Sequence, residues 1–196
     1  MLRKTLFTLG ILIIVGLAVF SNYWIRTQPI LVVHAKPDSI LFQTLPVTNQ
    51  RIVNYIEANG TSIAPDYNKV VCTEFVIQVL QQFSVLTKNE RTQIRIITDD
   101  KLIDLVDRDA DVIKGVRQAL VSHDKGIAIN SMNDVKPGDF VQFWNYYHGK
   151  VYGHCGVVMA VDPLNSITVY SSHPLTNGYG KQKFMWPDKI YFARLR

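Results

Sequence analysis

The sequence contains little cysteine and no extended basic tract, and each shortage excludes a class of protein. Only Cys72 and Cys155 occur in 196 residues, so at most one disulfide can form within a chain. No run of Lys and Arg is interleaved with aromatic residues, so we predict that nucleic acid is not a partner. Internal repeats and low-complexity tracts are also absent. A chain of this length with 47% hydrophobic residues can form one compact domain and one membrane segment.

Acidic residues are missing from the first 26 positions, which contain Arg3, Lys4 and Arg26. These three residues contribute most of the formal net charge of +5. The remaining residues, 27–196, hold 18 of the 21 Lys and Arg residues and all 16 Asp and Glu residues. The later part of the chain therefore has the nearly balanced charge of an ordinary globular surface.

Residues 5–25 form a long run without any charged residue, and the run ends near Tyr23 and Trp24. At ~1.5 Å per residue, a helix of this length spans about 31 Å, enough to cross the hydrocarbon core of a membrane. We therefore predict that residues 1–26 are a membrane anchor, with a cleaved signal peptide as the alternative. The rest of the chain is expected in the periplasm or at the cell exterior, because more positive charges precede the run than follow it.

The rest of the chain is predicted to be a stalk followed by one domain. Residues 27–50 contain three prolines and no sustained hydrophobic period, which indicates an extended stalk. Residues 51–196 are assigned to a single domain. Within this part of the chain, a short helix is predicted from about residue 50 to 57, and a longer helical stretch from about residue 99 to 122.

Another helix is predicted to begin at Cys72. Apolar residues recur at the spacing of one helical stripe: Phe75, Val76, Val79, Leu80 and Phe83. This stripe should be buried, and the spacing places Cys72 at the start of the helix on the side that faces the sheet.

After residue 126 the hydrophobic period changes to two, which is typical of strands. Five short strands are predicted, at residues 126–129, 139–144, 154–161, 166–171 and 190–195. Helices followed by an antiparallel meander predict an α+β domain. Its helices should pack on one side of an antiparallel sheet of about five strands.

Cys72 is the first candidate catalytic residue. A thiol at a helix N-terminus is close to unpaired backbone N–H groups, whose partial positive charge lowers the thiol pKa and favours the nucleophilic thiolate. The same N–H groups can stabilise an oxyanion. The structural alternative is a small apolar residue at the end of a core stripe, because free cysteine is among the most buried residue types.

His154 is the second candidate, at the start of the strand-like segment VYGHCGVVMAV. Alternation along a strand places His154 on one face with Gly156, and Cys155 on the opposite face. We therefore interpret Cys155 as core packing, and expect it neither to be the partner of His154 nor to form a disulfide with Cys72. The alternative for His154 itself is a structural histidine.

A third polar residue is expected from the next strand, which ends in YSSHPLTNGYG. A side chain there could bond the imidazole of His154 and fix its orientation. Tyr170, Ser172 and His173 are the candidates, and we favour His173. The alternative is a polar loop without a catalytic role.

In chain order, a helix-initial cysteine, a Pro-Gly-Asp turn, a Gly-His-x-Gly-Val-Val strand and a polar strand end resemble the NlpC-type cell-wall peptidases and the related CHAP amidases. These families belong to the papain-like cysteine peptidase superfamily. The resemblance covers roughly residues 67–180 and matches Cys72 to the nucleophile, His154 to the base and residues 137–139 to the turn. The usual Asp-Cys-Ser-Gly motif is replaced by Val-Cys-Thr-Glu in this chain.

The resemblance implies a papain-like NlpC-type fold and an extracytoplasmic thiol hydrolase that cleaves amide bonds in peptidoglycan peptides. Two other functions stay open: a thiol acyltransferase or lipid hydrolase on the same fold, and a catalytically silent wall-binding module. Trp144 and Tyr147 either line a substrate groove or pack at an edge, and the helical stretch 84–125 could shape one wall of the cleft. We predict no cofactor and no metal, because no set of ligands completes a site around His148 and His154.

Overall fold

The structure is a computed structural model that describes residues 31–33 and 42–196 of the chain. The helices before the main sheet are α1 (Val47–Ile63), α2 (Cys72–Gln81), α3 (Lys88–Arg95), α4 (Leu102–Asp107) and α5 (Val116–Val121). The strands are β1 (Leu31–Val32), β2 (Gly126–Ile129), β3 (Phe140–Tyr147), β4 (Lys150–Asp162), β5 (Ser166–His173), β6 (Gly178–Met185) and β7 (Lys189–Leu195).

The strands form one antiparallel sheet in the order β1-β6-β5-β4-β3-β7-β2, and β1 contributes only two residues. The predicted α+β class is confirmed, and each of the five predicted strands is present. The sheet is larger than predicted because β6 and β1 are added at one edge. The sequence of β6, GYGKQKFM, has two glycines and two lysines and no clear alternation, so the pattern did not indicate a strand.

Two clusters of buried side chains cover the two faces of the sheet. The helix-facing cluster joins the stripe of α2 to Phe140, Cys155 and Tyr170 of the sheet. The opposite face has its own apolar cluster, which includes Phe143 and Phe184. The helices therefore pack on one face, as the sequence predicts.

The helical stretch predicted from residue 99 to 122 is not one helix. Helix α4 ends at Asp107, and a short 3-10 turn at Asp111–Lys114 separates it from α5. Asp109 has a φ of 54° and Gly115 a φ of 49°, and a continuous right-handed helix cannot contain either value. Helix α3 lies within the predicted helical stretch 84–125, but its bounds were not predicted, although Thr87 and Glu90 form a capping box at its start.

Part of the predicted stalk belongs to the domain. Residues 31–32 pair with β6, and α1 already begins at Val47. The predicted membrane segment, residues 5–25, lies outside the described residues. Among the described residues, no helix has both the length and the apolar character needed to cross a membrane.

The Pro-Gly-Asp turn fixes the start of β3 to the rest of the fold. Asp139 is completely buried and accepts hydrogen bonds from Asn49 at 2.9 Å and from two nitrogens of Arg194 at 2.8 Å each. Gly138 has a φ of 90°, and a side chain there would meet the Asn49 carbonyl oxygen at 2.8 Å. The turn is therefore a structural junction between α1, β3 and β7.

Candidate active site

Cys72 is the first residue of α2, as the apolar spacing predicts. No side chain caps this helix end, because Val71 precedes it, so the helix-initial N–H groups keep their partial positive charge near the thiol. The buried stripe of α2 holds the helix against β4 and β5. Cys72 is only half-buried and lines an open pocket.

His154 lies on β4, opposite Phe143 of β3, and is half-buried. Its ring packs against the rings of Phe143 and Phe184, with centroid distances of 5.5 and 5.3 Å. These contacts place its ring on the sheet face away from the helices. They also limit its rotation, which a positioned base requires.

Cys72 and His154 meet because β4 and β5 separate beside the histidine. Paired residues of these strands begin at Val157 and Tyr170, so β5 does not cover β4 at position 154. Beside this unpaired stretch, the Ser172 hydroxyl donates to the Val70 carbonyl and so holds the chain that leads into α2. His154 can therefore reach the start of α2 from the edge of its strand, and both side chains line the same pocket.

Cys155 also contacts Cys72, which the sequence analysis did not expect. Strand alternation does turn Cys155 away from His154, but α2 packs on the face that carries Cys155. Cys155 is core packing, as predicted, but the argument against a disulfide assumed that Cys72 lies on the histidine's face of the sheet, and α2 packs on the other face. Both cysteines are present as free thiols, and both line the same pocket.

The surroundings of Cys72 favour its thiolate. The pKa of the Cys72 thiol is lowered well below its ordinary value, and the hydrogen bond with Cys155 is the largest cause. Burial opposes this shift, while the charge of His154 and a hydrogen bond with its ring lower the pKa further. The pKa of Cys155 is raised instead, because this thiol is bonded to Cys72 and fully desolvated. One sulfur is therefore set up as a nucleophile and the other as a proton donor.

Ser171 holds the other side of the imidazole. Its Oγ lies 2.8 Å from Nε2 of His154, and its hydroxyl donates to the Ser172 carbonyl at 3.1 Å. A serine hydroxyl has one proton, so Oγ accepts from the Nε2–H of His154. This arrangement leaves Nδ1 of the neutral ring as the nitrogen that can take a proton from Cys72.

Of the three residues considered for the third position, His173 packs against the His154 ring, and the hydrogen bonds of all three go to other groups. The His173 ring contacts the His154 ring edge-to-face at 5.3 Å, and its Nδ1 accepts from Leu175 N–H at 3.1 Å. Tyr170 donates to a carboxylate of α1, and Ser172 donates to the loop before α2. The pKa of His173 is lowered to about 3 by burial and by the charge of His154. His173 is therefore neutral and packs against the His154 ring, whereas Ser171 orients the His154 ring through a hydrogen bond.

Knowledge of how β4 pairs with β5 would have identified Ser171 in advance. Val157 pairs with Tyr170, so the next position outward brings Ser171 beside Gly156 on the histidine's face. A side chain at Gly156 would meet the Tyr170 carbonyl oxygen at 2.6 Å, so only glycine lets β5 approach here. The sequence analysis noted the small residues of β4 but did not know this register.

The pocket above Cys72 has a volume of about 220 Å³. Besides the two cysteines and His154, its walls include side chains from three regions of the chain: Thr73, Arg95, Ile96, Leu102, Gln142, Trp144 and Val151. Trp144 is anchored by a hydrogen bond from its indole N–H to the Ile113 carbonyl at 2.8 Å. Residues of the stretch 84–125 thus form one wall, as expected, and Trp144 lines the pocket.

The mouth of the pocket carries one ion pair. Arg95, at the end of α3, binds both carboxylate oxygens of Glu74, which lies in the first turn of α2. A bidentate pair has a fixed geometry, so it ties the stretch 84–125 to the helix that begins at Cys72. The pocket is therefore lined by both apolar and polar side chains, and the charge of Arg95 is paired with Glu74.

Within residues 31–33 and 42–196, no group of three His, Cys, Asp or Glu side chains is arranged to hold a metal ion. The site instead consists of a thiol, an imidazole and a serine hydroxyl next to an open pocket. Comparison with family models, with curated proteins and with solved structures gives no match for this chain.

Proposed function

We propose that this protein is a thiol hydrolase of the papain-like class that cleaves amide bonds. The observation that supports the proposal most is the convergence of Cys72, at an uncapped helix start, with a histidine whose Nε2–H is held by Ser171. A thiol, an imidazole and a hydroxyl that orients the imidazole are groups that nucleophilic catalysis uses. The pocket beside them gives a substrate access to the sulfur.

The reaction follows from these positions. The Cys72 thiolate attacks the carbonyl carbon of the amide, and the negative charge moves to the carbonyl oxygen. Backbone N–H groups at the start of α2 point toward this oxygen and stabilise the charge. His154 then gives its proton to the leaving amine, and the C–N bond breaks to leave a thioester on Cys72.

Water completes the cycle. His154 takes a proton from a water molecule, which attacks the thioester carbonyl and releases the acid. The sulfur leaves as a thiolate and pairs again with the protonated imidazole. Ser171 keeps the ring in one orientation through both steps because its Oγ accepts from Nε2–H throughout.

The proposed substrate is a peptide of peptidoglycan, and the proposed location is the outer face of the membrane. The order of the motifs in an NlpC-type peptidase and the uncharged run at residues 5–25 support both proposals. In this scheme the anchor and the stalk that joins it to the domain hold the catalytic domain near the wall.

Replacement of Cys72 by Ala tests the function directly. Incubated with purified cell-wall peptides, the C72A and H154A variants should release no amine above the level of a blank. H123A is the matched control, because His123 is a histidine remote from the pocket, at the end of α5. Equal product release by C72A and the parent protein would remove the assignment of Cys72.

Acyl transfer is a second candidate, and the apolar side chains of the pocket favour it. Ile96, Leu102, Trp144 and Val151 could hold an acyl chain beside the sulfur. An acyl-enzyme that persists in water and is discharged by an added amine or alcohol would indicate a transferase or lipid hydrolase. A Cys72 that alkylates no faster than an ordinary thiol would indicate a wall-binding module without catalysis.

A further inference from the structure

Cys155 lies on the core side of Cys72. Cys155 is 1% exposed and belongs to the helix-facing core, whereas Cys72 packs against that core from the pocket side. Both line the same pocket, and both belong to or pack against the same core cluster. Nothing in the proposed hydrolysis uses the sulfur of Cys155 as a reactant.

The two thiols differ in what can reach them. A small solute in the pocket meets Cys72 first, because the Cys155 side chain is covered by the core. The lowered pKa of Cys72 makes its sulfur the more reactive one toward oxidants. Cys155 keeps its proton because its pKa is raised, and it lies beside any oxidised sulfur that forms on Cys72.

We propose that Cys72 and Cys155 form a peroxide-reactive dithiol, in which Cys155 resolves the oxidised Cys72 by closing an intramolecular disulfide. The Cys72 thiolate attacks one oxygen of hydrogen peroxide, the O–O bond breaks, and the departing hydroxide is protonated to water. Cys72 is now a sulfenic acid. The Cys155 sulfur attacks the Cys72 sulfur, the S–O bond breaks, and hydroxide leaves as water with the Cys155 proton.

The net change is two thiols and one peroxide to one disulfide and two waters, and an added dithiol reverses it. The disulfide occupies the sulfur of Cys72. If the proposed hydrolysis is correct, oxidation therefore stops it reversibly. Without a resolving thiol, the sulfenic acid would advance to the irreversible sulfinic acid. Cys155 thus protects the nucleophile as well as blocking it.

Intact-mass analysis after a pulse of hydrogen peroxide tests the proposal on the whole protein. The parent protein should lose about 2 Da, and peptide mapping should join Cys72 to Cys155. The Cys155→Ser variant keeps a hydroxyl donor under Cys72 but cannot form the bond, so it should gain about 32 Da on Cys72 instead. Cys155→Ala is a second variant for the case in which serine disturbs the core.

Parent protein that gains the same mass as Cys155→Ser and shows no joined peptide would overturn the proposal. Disulfide-linked dimers whose yield rises with protein concentration would also overturn it. These results do not depend on any substrate. A disulfide that forms in a protein inactive on wall peptides would disprove the hydrolase and leave the dithiol intact. If both hold, a dithiol should restore hydrolysis in the oxidised parent protein but not in Cys155→Ser.

Discussion

Replacing Ser171 with Ala should slow both the alkylation of Cys72 and the hydrolysis of an amide substrate. The Ser171 Oγ is completely buried and lies 2.8 Å from Nε2 of His154. Alanine fits the same space but offers no acceptor. The imidazole then loses the contact that fixes its orientation, and its positive charge loses a partner.

The size of the effect follows from the kind of bond. A hydrogen bond to a charged group contributes about 1.5–3 kcal/mol, and each 1.36 kcal/mol corresponds to a tenfold change in rate. We therefore expect kcat/KM to fall about 10- to 100-fold in Ser171→Ala. The lost bond to the Ser172 carbonyl should lower the free energy of unfolding by about 1 kcal/mol, which leaves the protein folded.

Two measurements separate a positioning role from a structural one. Alkylation of Cys72 by iodoacetamide at mildly acidic pH reports the thiolate without any substrate, and it should be slower in Ser171→Ala. Ser166→Ala is the matched control, because Ser166 is equally buried at the far end of the same strand. If Ser171→Ala and the parent protein alkylate and hydrolyse at the same rates, Ser171 does not position His154.

Two further predictions concern stability. Asp139→Ala leaves Arg194 without its carboxylate partner and should lower the free energy of unfolding, measured in urea, by about 3–5 kcal/mol. Asp111→Ala removes an exposed ion pair and should change the free energy of unfolding by less than about 0.5 kcal/mol. If both variants lower the free energy of unfolding by the same amount, the buried Asp139–Arg194 pair does not stabilise the fold as proposed. Burial alone would raise the pKa of Glu90, but hydrogen bonds, chiefly from Lys125, lower it from 4.5 to about 2. A lowered folded-state pKa stabilises the protein above the ordinary pKa, and this contribution is lost as the pH falls toward about 2. The stability difference between parent and Glu90→Gln should therefore be constant near neutral pH and shrink below about pH 4.5, and a pH-independent difference would contradict it.

Local patterns predicted the start of α2 and the existence of the five strands. The apolar spacing in α2 depends only on neighbours along the chain, so it located Cys72 at a helix start. The strand with His154 was predicted for the same reason, although β4 begins earlier, at Lys150. The sequence could not show where β6 pairs, because its few apolar residues gain their stability from contacts with β5.

Contacts between elements were harder to predict. Alternation correctly separated His154 from Cys155, but it does not tell which face the helices cover. The Cys155 face is the covered one, so both sulfurs meet. Ser171 was overlooked because its partner depends on the register of β4 with β5, which shifts between Val158 and Ala160.

Gly156 determines how closely β5 approaches the strand that carries His154. Its missing side chain lets the Tyr170 carbonyl come close to β4, and this approach brings the Ser171 hydroxyl to His154. At this end of β4 the two strands stop pairing, which leaves a gap beside His154, and the Ser172 hydroxyl there binds the Val70 carbonyl of the chain that leads into Cys72. A sheet paired to the end of β4 would close that gap and keep the imidazole from the sulfur. The site therefore depends on where the strands separate as much as on the residues that line it.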